Sequence, residues 1–382
     1  MRSGEERRGG EVAIALSGGG ARAAYQVGLL RCLAELAPDY RFPIITGVSA
    51  GAVNAAFLAS HPGGIAEATH ELSRLWSDLQ GDRVFGTGVL ALGRNVARWA
   101  TRLISGGVRI APKVRGLVDT APLSQLLERE LCTVDGEITG IARNLEAGLL
   151  DAVALTTLNY STGQTTTWVQ GCDIQTWERP DRCSAKVRLT VDHVMASAAL
   201  PLIFPAVRLI DAWHGDGGVR LAAPLAPAVH LGASRIIAVS TRYKRGAQEA
   251  ELREASYPPP AQILGKLFNA IFLDVIDQDV QRLERINSLL SELPPEKRGG
   301  MRKIEIMVLR PSVDLGKLAR EYEPDLPRGF RFLTRGLGTR ETTSPDFLSL
   351  LMFQPDYIAR LIEIGEADAW ERCDDLGRLV LG

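Results

Sequence analysis

Ile44-Ile45-Thr46-Gly47-Val48-Ser49-Ala50-Gly51-Ala52 is the stretch on which the fold turns. It opens apolar and β-branched, as a buried strand does, and passes through G-x-S-x-G. It then runs into Val53-Asn54-Ala55-Ala56-Phe57-Leu58, small and apolar enough for a packed helix. A strand, a tight turn and a helix with Ser at the apex make a nucleophile elbow. Gly47 and Gly51 stand where the backbone turns sharply and the helix must lie close to the strand. Ser49 is placed on a strained turn at a helix N-terminus, where the dipole favours developing negative charge. With 38 glycines in 382 residues the motif also arises by chance, so the rest of the chain has to decide.

Upstream, Val12 to Leu16 reads as a short apolar strand ending in Ser17-Gly18-Gly19-Gly20-Ala21-Arg22. A helix follows, with Ala23, Ala24, Val27, Leu30, Leu33, Ala34 and Leu36 at helical spacing. Glycines between a strand and a helix expose a row of backbone N–H groups, which is an anion site. Two uses compete: an oxyanion hole for a tetrahedral intermediate, and a dinucleotide phosphate loop, since Gly18-x-Gly20-x-x-Ala23 fits G-x-G-x-x-G/A. The second use needs an acid about 20 residues on, at the end of a second strand. Asp39 is near that distance, but Pro38-Asp39-Tyr40-Arg41 reads as a loop.

Gly18-Gly19-Gly20-Ala21-Arg22 followed by G-x-S-x-G resembles the patatin-like phospholipases, with Ala23 standing where that family usually has a last Gly. Ala196-Ser197-Ala198-Ala199-Leu200-Pro201-Leu202-Ile203-Phe204-Pro205 resembles the family's segment near the active site. His214-Gly215-Asp216-Gly217-Gly218 resembles its D-G-G motif. Unaided, Asp followed by two glycines is more common in plain turns than in catalytic sites. The resemblance implies a three-layer α/β/α fold with a mostly parallel sheet, a Ser49–Asp216 dyad, and an oxyanion hole from Gly18, Gly19, Gly20, Ala21 and Arg22. In that scheme Gly47, Gly51, Gly217 and Gly218 give support. It also implies hydrolysis of phospholipid or neutral-lipid esters through an acyl-enzyme, without metal or cofactor.

A carboxylate is a weak base for this chemistry. Its reference pKa lies about 2.6 units below that of His, roughly 3.5 kcal/mol of driving force. Burial must therefore raise the Asp216 pKa, or the glycine loop must carry more of the catalysis. The histidines are His61, His70, His193, His214 and His230. A Ser-acid-His order would need one of the last three, and none sits in a recognisable late loop. His214 is the one to watch, because on an extended segment it faces the same side as Asp216.

A net charge of −1 gives no reason to expect nucleic acid. The scattered cysteines Cys32, Cys132, Cys172, Cys183 and Cys373 suggest neither zinc nor a disulfide framework. Val12 to Leu16 is too short for a signal segment, and the expectation is a cytoplasmic chain. Val89 to Arg109 alternates apolar residues with arginines and no acid, which suits peripheral contact with an anionic lipid surface.

Further helices are expected at Glu67–Gln80, from Pro122 onward, at Val191–Ala199 and along Asp346–Glu371. The apolar stripe Ile263 to Ile286 predicts one long helix. Strands are expected at Ala152–Leu158, Thr165–Val169 and within Leu231–Ser240, with a late edge strand at Lys303–Leu309. Gly171–Lys186 reads as a polar loop. This divides the chain into a catalytic core at 11–245 and a helical extension at 246–382 whose one strand returns to the core, with a boundary or mobile loop at Tyr243–Pro260. Two other functions fit parts of the pattern: a lipid-binding or regulatory protein of this fold with little turnover, and a nucleotide-binding oxidoreductase.

Overall fold

The structure, a computed structural model, describes residues 11–84, 97–98, 101, 104, 115–244, 257–272, 275–326, 328–336, 338–339 and 345–381. The stretch expected to meet lipid, Val89–Arg109, lies outside the described residues apart from 97–98, 101 and 104. Residues 245–256 of the expected boundary loop lie outside them too.

Apolar pentapeptides form the middle of the sheet: β1 (Val12–Leu16) and β2 (Ile44–Val48), both wholly buried, and β9 (Arg235–Val239). Runs this apolar, without polar alternation, belong to strands covered on both faces. β1 lies between β2 and β9, parallel to each. β10 (Glu305–Leu309) extends the sheet beyond β9, and β3 (Ala152–Asn159) extends it beyond β2, again parallel. β4 (Thr165–Gly171) then pairs antiparallel with β3.

Side-chain alternation sorts the two faces. Val12, Ile14 and Leu16 pack with α1 (Ala24–Leu36), α2 (Ala50–Ser60) and α3 (Ile65–Asp78). Ala13 and Ala15 pack with the helix Ala226–His230 and with Val280 and Leu283 of the helix Val275–Glu292. The result is a sheet with helices on both sides, the α/β class the sequence predicted. On the outer side of α1 lies the helix Pro355–Trp370, joined to it by Tyr25 Oη donating to Asp368 Oδ2 at 2.9 Å.

One junction positions the site. β2 ends at Val48, paired with Thr156 of β3. The next residue of β3, Thr157, pairs with Asp216, the last residue of β8 (Ala212–Asp216), which runs antiparallel to β3 from the other direction. Two strands thus meet head-on along one edge of β3, with Ser49 just past the end of one and Asp216 at the end of the other.

Two expectations are corrected. Gly171–Lys186 is not simply a loop, because β5 (Glu178–Arg179) and β6 (Arg182–Lys186) form a hairpin whose second strand pairs parallel with β4. Its residues are half-buried or exposed, so the strand lacks the apolar run that signals a central one. The long stripe is described over the helices Pro260–Phe272 and Val275–Glu292, residues 273 and 274 lying outside the described residues, and Leu267 on it is 52% exposed. Asp346–Glu371 is two helices, Asp346–Leu351 and Pro355–Trp370, since Pro355 cannot continue a helix but fits its first turn. No described helix is long and apolar enough to cross a membrane.

Candidate active site

Ser49 sits between β2 and α2 at φ 58°, ψ −134°. A positive φ at a non-glycine residue is strained and persists only where the surroundings impose it. Two constraints impose it here. The Ser49 N–H donates to Ser197 Oγ at 3.0 Å, and Ser197 Oγ donates in turn to the Thr156 carbonyl at 2.7 Å. On the helix side, Gly51 lies so close beneath β1 that a Cβ would collide with the Leu16 and Ser17 carbonyl oxygens.

The glycine loop runs alongside. A Cβ on Gly18 would come within 2.8 Å of Ser49 Cβ and 3.3 Å of its Oγ, which places this backbone directly against the hydroxyl. The carbonyls of the loop are occupied. Ser17 O accepts from Gln26 Nε2 at 2.7 Å, Gly18 O from Thr241 Oγ1 at 2.7 Å, Gly19 O from the Arg22 N–H at 3.1 Å, and Ala23 O from Asn54 Nδ2 at 3.2 Å. Among the described residues nothing accepts the N–H groups of Gly18, Gly19, Gly20 or Ala21. Arg22 departs from that row: its amide serves Gly19, and its guanidinium is engaged by Ser349 and Asp346. Ala23, where the family usually has Gly, sits at φ −67°, a conformation any residue adopts.

Asp216 has no solvent exposure. Its Oδ1 accepts from the Gly218 N–H at 2.9 Å, while Oδ2 is buried with no hydrogen-bond partner in place. Burial pushes its pKa from 3.8 up to about 7, against the downward pull of the nearby Ser49 side chain and of the Gly218 N–H. This is the shift that a carboxylate base needs at neutral pH.

His214 does share the face of Asp216 but is committed elsewhere. Thr157 Oγ1 accepts from Trp168 Nε1 at 2.8 Å, so its own proton is free to donate to His214 Nδ1 at 2.9 Å. Burial pulls the His214 pKa down, with Asp211 acting the other way. His193 is likewise lowered to about 4, first by burial and then by His214, and its Nδ1 accepts the Thr190 N–H in a capping box. Both imidazoles pack edge-on against Trp168.

From Ser49 an apolar cleft runs between Leu75, Trp76, Leu123, Leu200 and Phe204. Sequence reasoning missed several residues that build this site. Thr241 pins the loop from the end of β9. A buried relay ties α1, α2 and α3 together: Trp76 Nε1 to Asn54 Oδ1, then Asn54 Nδ2 to Gln26 Oε1. Gln26 and Asn54 are polar residues in otherwise apolar helices, and that was the available signal.

The model of the family described as patatin-like phospholipase matches residues 14–229, more than half of the chain. No curated protein matches it significantly. Among solved structures, human GIVD cytosolic phospholipase A2 in complex with methyl gamma-linolenyl fluorophosphonate aligns at 13% identity and TM-score 0.49, covering 98% of this chain and 60% of its own. VipD from Legionella pneumophila aligns at 15% identity and TM-score 0.40, covering 96% and 67%. The type III effector ExoU, from Pseudomonas aeruginosa, aligns at 16% identity and TM-score 0.34, covering 97% and 54%. The chain therefore spans two thirds of these structures or less. By the family match, the chain belongs to the patatin-like phospholipases.

Proposed function

We propose that the chain hydrolyses lipid acyl esters, phospholipids foremost, with Ser49 as nucleophile and Asp216 as general base. Ser49 Oγ attacks the ester carbonyl carbon while its proton passes to Asp216 Oδ2. The negative charge that develops on the carbonyl oxygen is received by the unoccupied amides of Gly18 to Ala21. Collapse breaks the bond to the alcohol, which leaves with the proton from Asp216, and the acyl group stays on Ser49. Water then repeats the sequence, its proton going to Asp216 and Ser49 leaving as the alcohol. The apolar cleft suits the acyl chain. The basic stretch Val89–Arg109 suits, by its sequence, the surface of an anionic lipid.

One observation carries the reading: a wholly buried carboxylate oxygen without a partner, set beside a serine held at positive φ. Buried acceptors are ordinarily satisfied, and exceptions gather where chemistry is done. The test is hydrolysis of short and long acyl p-nitrophenyl esters. Ser49→Ala and Asp216→Ala should each abolish turnover, and His214→Ala should keep most of it. Turnover surviving Ser49→Ala would refute the mechanism. A wild type that binds lipid without turning it over would favour a lipid-binding role.

A further inference from the structure

The glycine loop is gripped by a helix that lies beyond the residues matched to the family. Arg22 is 3% exposed. Its Nε donates to Ser349 Oγ at 2.6 Å, and its Nη2 donates to Asp346 Oδ1 at 2.8 Å and to the Asp346 carbonyl at 3.2 Å. Ser349 Oγ then donates to the same Asp346 carbonyl at 2.6 Å. The other Asp346 oxygen, Oδ2, faces Lys266 Nζ at 3.9 Å. One turn further along, the Leu350 carbonyl oxygen fills the space a Gly20 Cβ would need. The helix Asp346–Leu351 therefore meets the loop at two points, on either side of Ala21.

Stability does not explain such a pair. Replacing a buried ion pair by apolar residues is often neutral or stabilising, because desolvation offsets the attraction. What a multidentate guanidinium contact supplies is fixed geometry. The loop has need of it, since Gly19 (φ 146°) and Gly20 (φ 55°) are the residue type with the widest backbone freedom.

Resting on the acyl-transfer reading above, we infer that Asp346 and Ser349 are positioning residues: by fixing Arg22 they hold the amides of Gly18 to Ala21 at the Ser49 hydroxyl. They touch neither substrate nor reacting atoms. Loosening them lowers stabilisation of the tetrahedral state and leaves ground-state binding in the apolar cleft alone.

The experiment compares wild type, Ser349→Ala, Asp346→Asn and, as a control, Tyr25→Phe. The control removes a buried hydrogen bond to the C-terminal helices that does not reach the loop. Three quantities are read: kcat and KM on a soluble ester, inhibition by a trifluoromethyl ketone that forms a tetrahedral oxyanion on serine, and binding of a non-hydrolysable ether lipid. Asp346→Asn strips the carboxylate from a buried guanidinium and can unfold the chain, so Ser349→Ala, which removes a neutral partner, carries the test. Its kcat should fall about 10- to 100-fold, the scale of a misplacement near 1 Å. Ketone affinity should fall by the same factor, with KM and ether-lipid binding unchanged and Tyr25→Phe altering only thermal stability. An active wild type whose Ser349→Ala keeps full kcat and ketone affinity overturns this inference alone. So does a loss of ether-lipid binding in step with kcat. A wild type that neither turns over esters nor binds the ketone overturns the acyl-transfer reading and this inference with it.

Discussion

The two halves of the site are built at different ranges along the chain. The elbow is supported from within the family-matched residues, by the β2–β3 register, by Gly51 against β1, and by Ser197, 148 residues from Ser49. The glycine loop is held at its ends from within them, by Gln26 on Ser17 and Asn54 on Ala23. At Gly18 and Arg22 it is held from outside, by Thr241 and by Asp346 and Ser349, the last 327 residues from Arg22. The elbow's geometry is therefore imposed by partners that all lie within the family-matched residues. The loop supplies amides by its motif but takes part of its position from a distant helix. A fragment ending where the family match ends would keep Ser49 and Asp216 and lose one wall of the site, including Leu350 and Phe353 of the apolar cleft.

The largest expected effect is at the carboxylate that faces the elbow, Asp216 at the end of β8. Asp216→Asn should lower kcat by about a thousandfold, the range of lost general-base catalysis. It should also raise stability at alkaline pH. The folded pKa of about 7 lies above the ordinary 3.8, so the folded state holds the proton more tightly and the native carboxylate costs stability increasingly as pH rises from about 4 to 7. At pH 8 the Asn variant should gain up to about 4 kcal/mol over wild type by denaturant unfolding, taking 1.36 kcal/mol per unit as a ceiling. Near pH 4 the gain should vanish. Equal stability of the two proteins at pH 8 would show that the carboxylate is solvated rather than buried.

Next comes the independence of the two supports. Ser197→Ala should cost kcat about tenfold, together with roughly 1–3 kcal/mol of stability for the Ser49 N–H and Thr156 carbonyl it leaves unpaired. If elbow and loop are held separately, the losses in the Ser197→Ala, Ser349→Ala double variant should multiply, as they do for uncoupled sites. A double variant no slower than the worse single one would merge the two halves into a single unit. The smallest effect is at His214: His214→Gln should change kcat by less than about threefold, because its Nδ1 serves Thr157 and not the reaction. A hundredfold loss would reinstate a histidine base.

The same contrast explains what could be read from the sequence. Strand β1 and the elbow were legible because each is a local pattern confined to a few neighbouring residues, whereas the Asp216 turn is told from a plain turn only by the resemblance. The head-on meeting of β2 and β8 beside β3 was not legible, since it depends on β3 pairing with one segment 108 residues before it and another 55 to 59 residues after it. Arg22 enters the oxyanion row through the resemblance, while in the fold its amide serves Gly19 and its guanidinium serves Ser349 and Asp346, contacts no local pattern announces. Asp346 and Ser349 lay in what read only as the start of an amphipathic helix. Nothing in its periodicity marks two polar residues as partners of an arginine near the N-terminus. β6 was missed because an edge strand with half-buried polar residues carries no apolar period.

The claim that Ser49 is activated by a buried carboxylate can be tested directly by the pH dependence of its covalent labelling. Wild type is reacted with a fluorophosphonate from pH 5 to 9, and the modified peptide is located and quantified by mass spectrometry. The label should fall on Ser49 and be absent in Ser49→Ala. Its rate should rise with pH through a single transition near 7, where Asp216 ionises, and level off above it. A rate with no inflection between pH 5 and 9, or a label on another residue, would contradict the assignment of Ser49 and Asp216 as nucleophile and base.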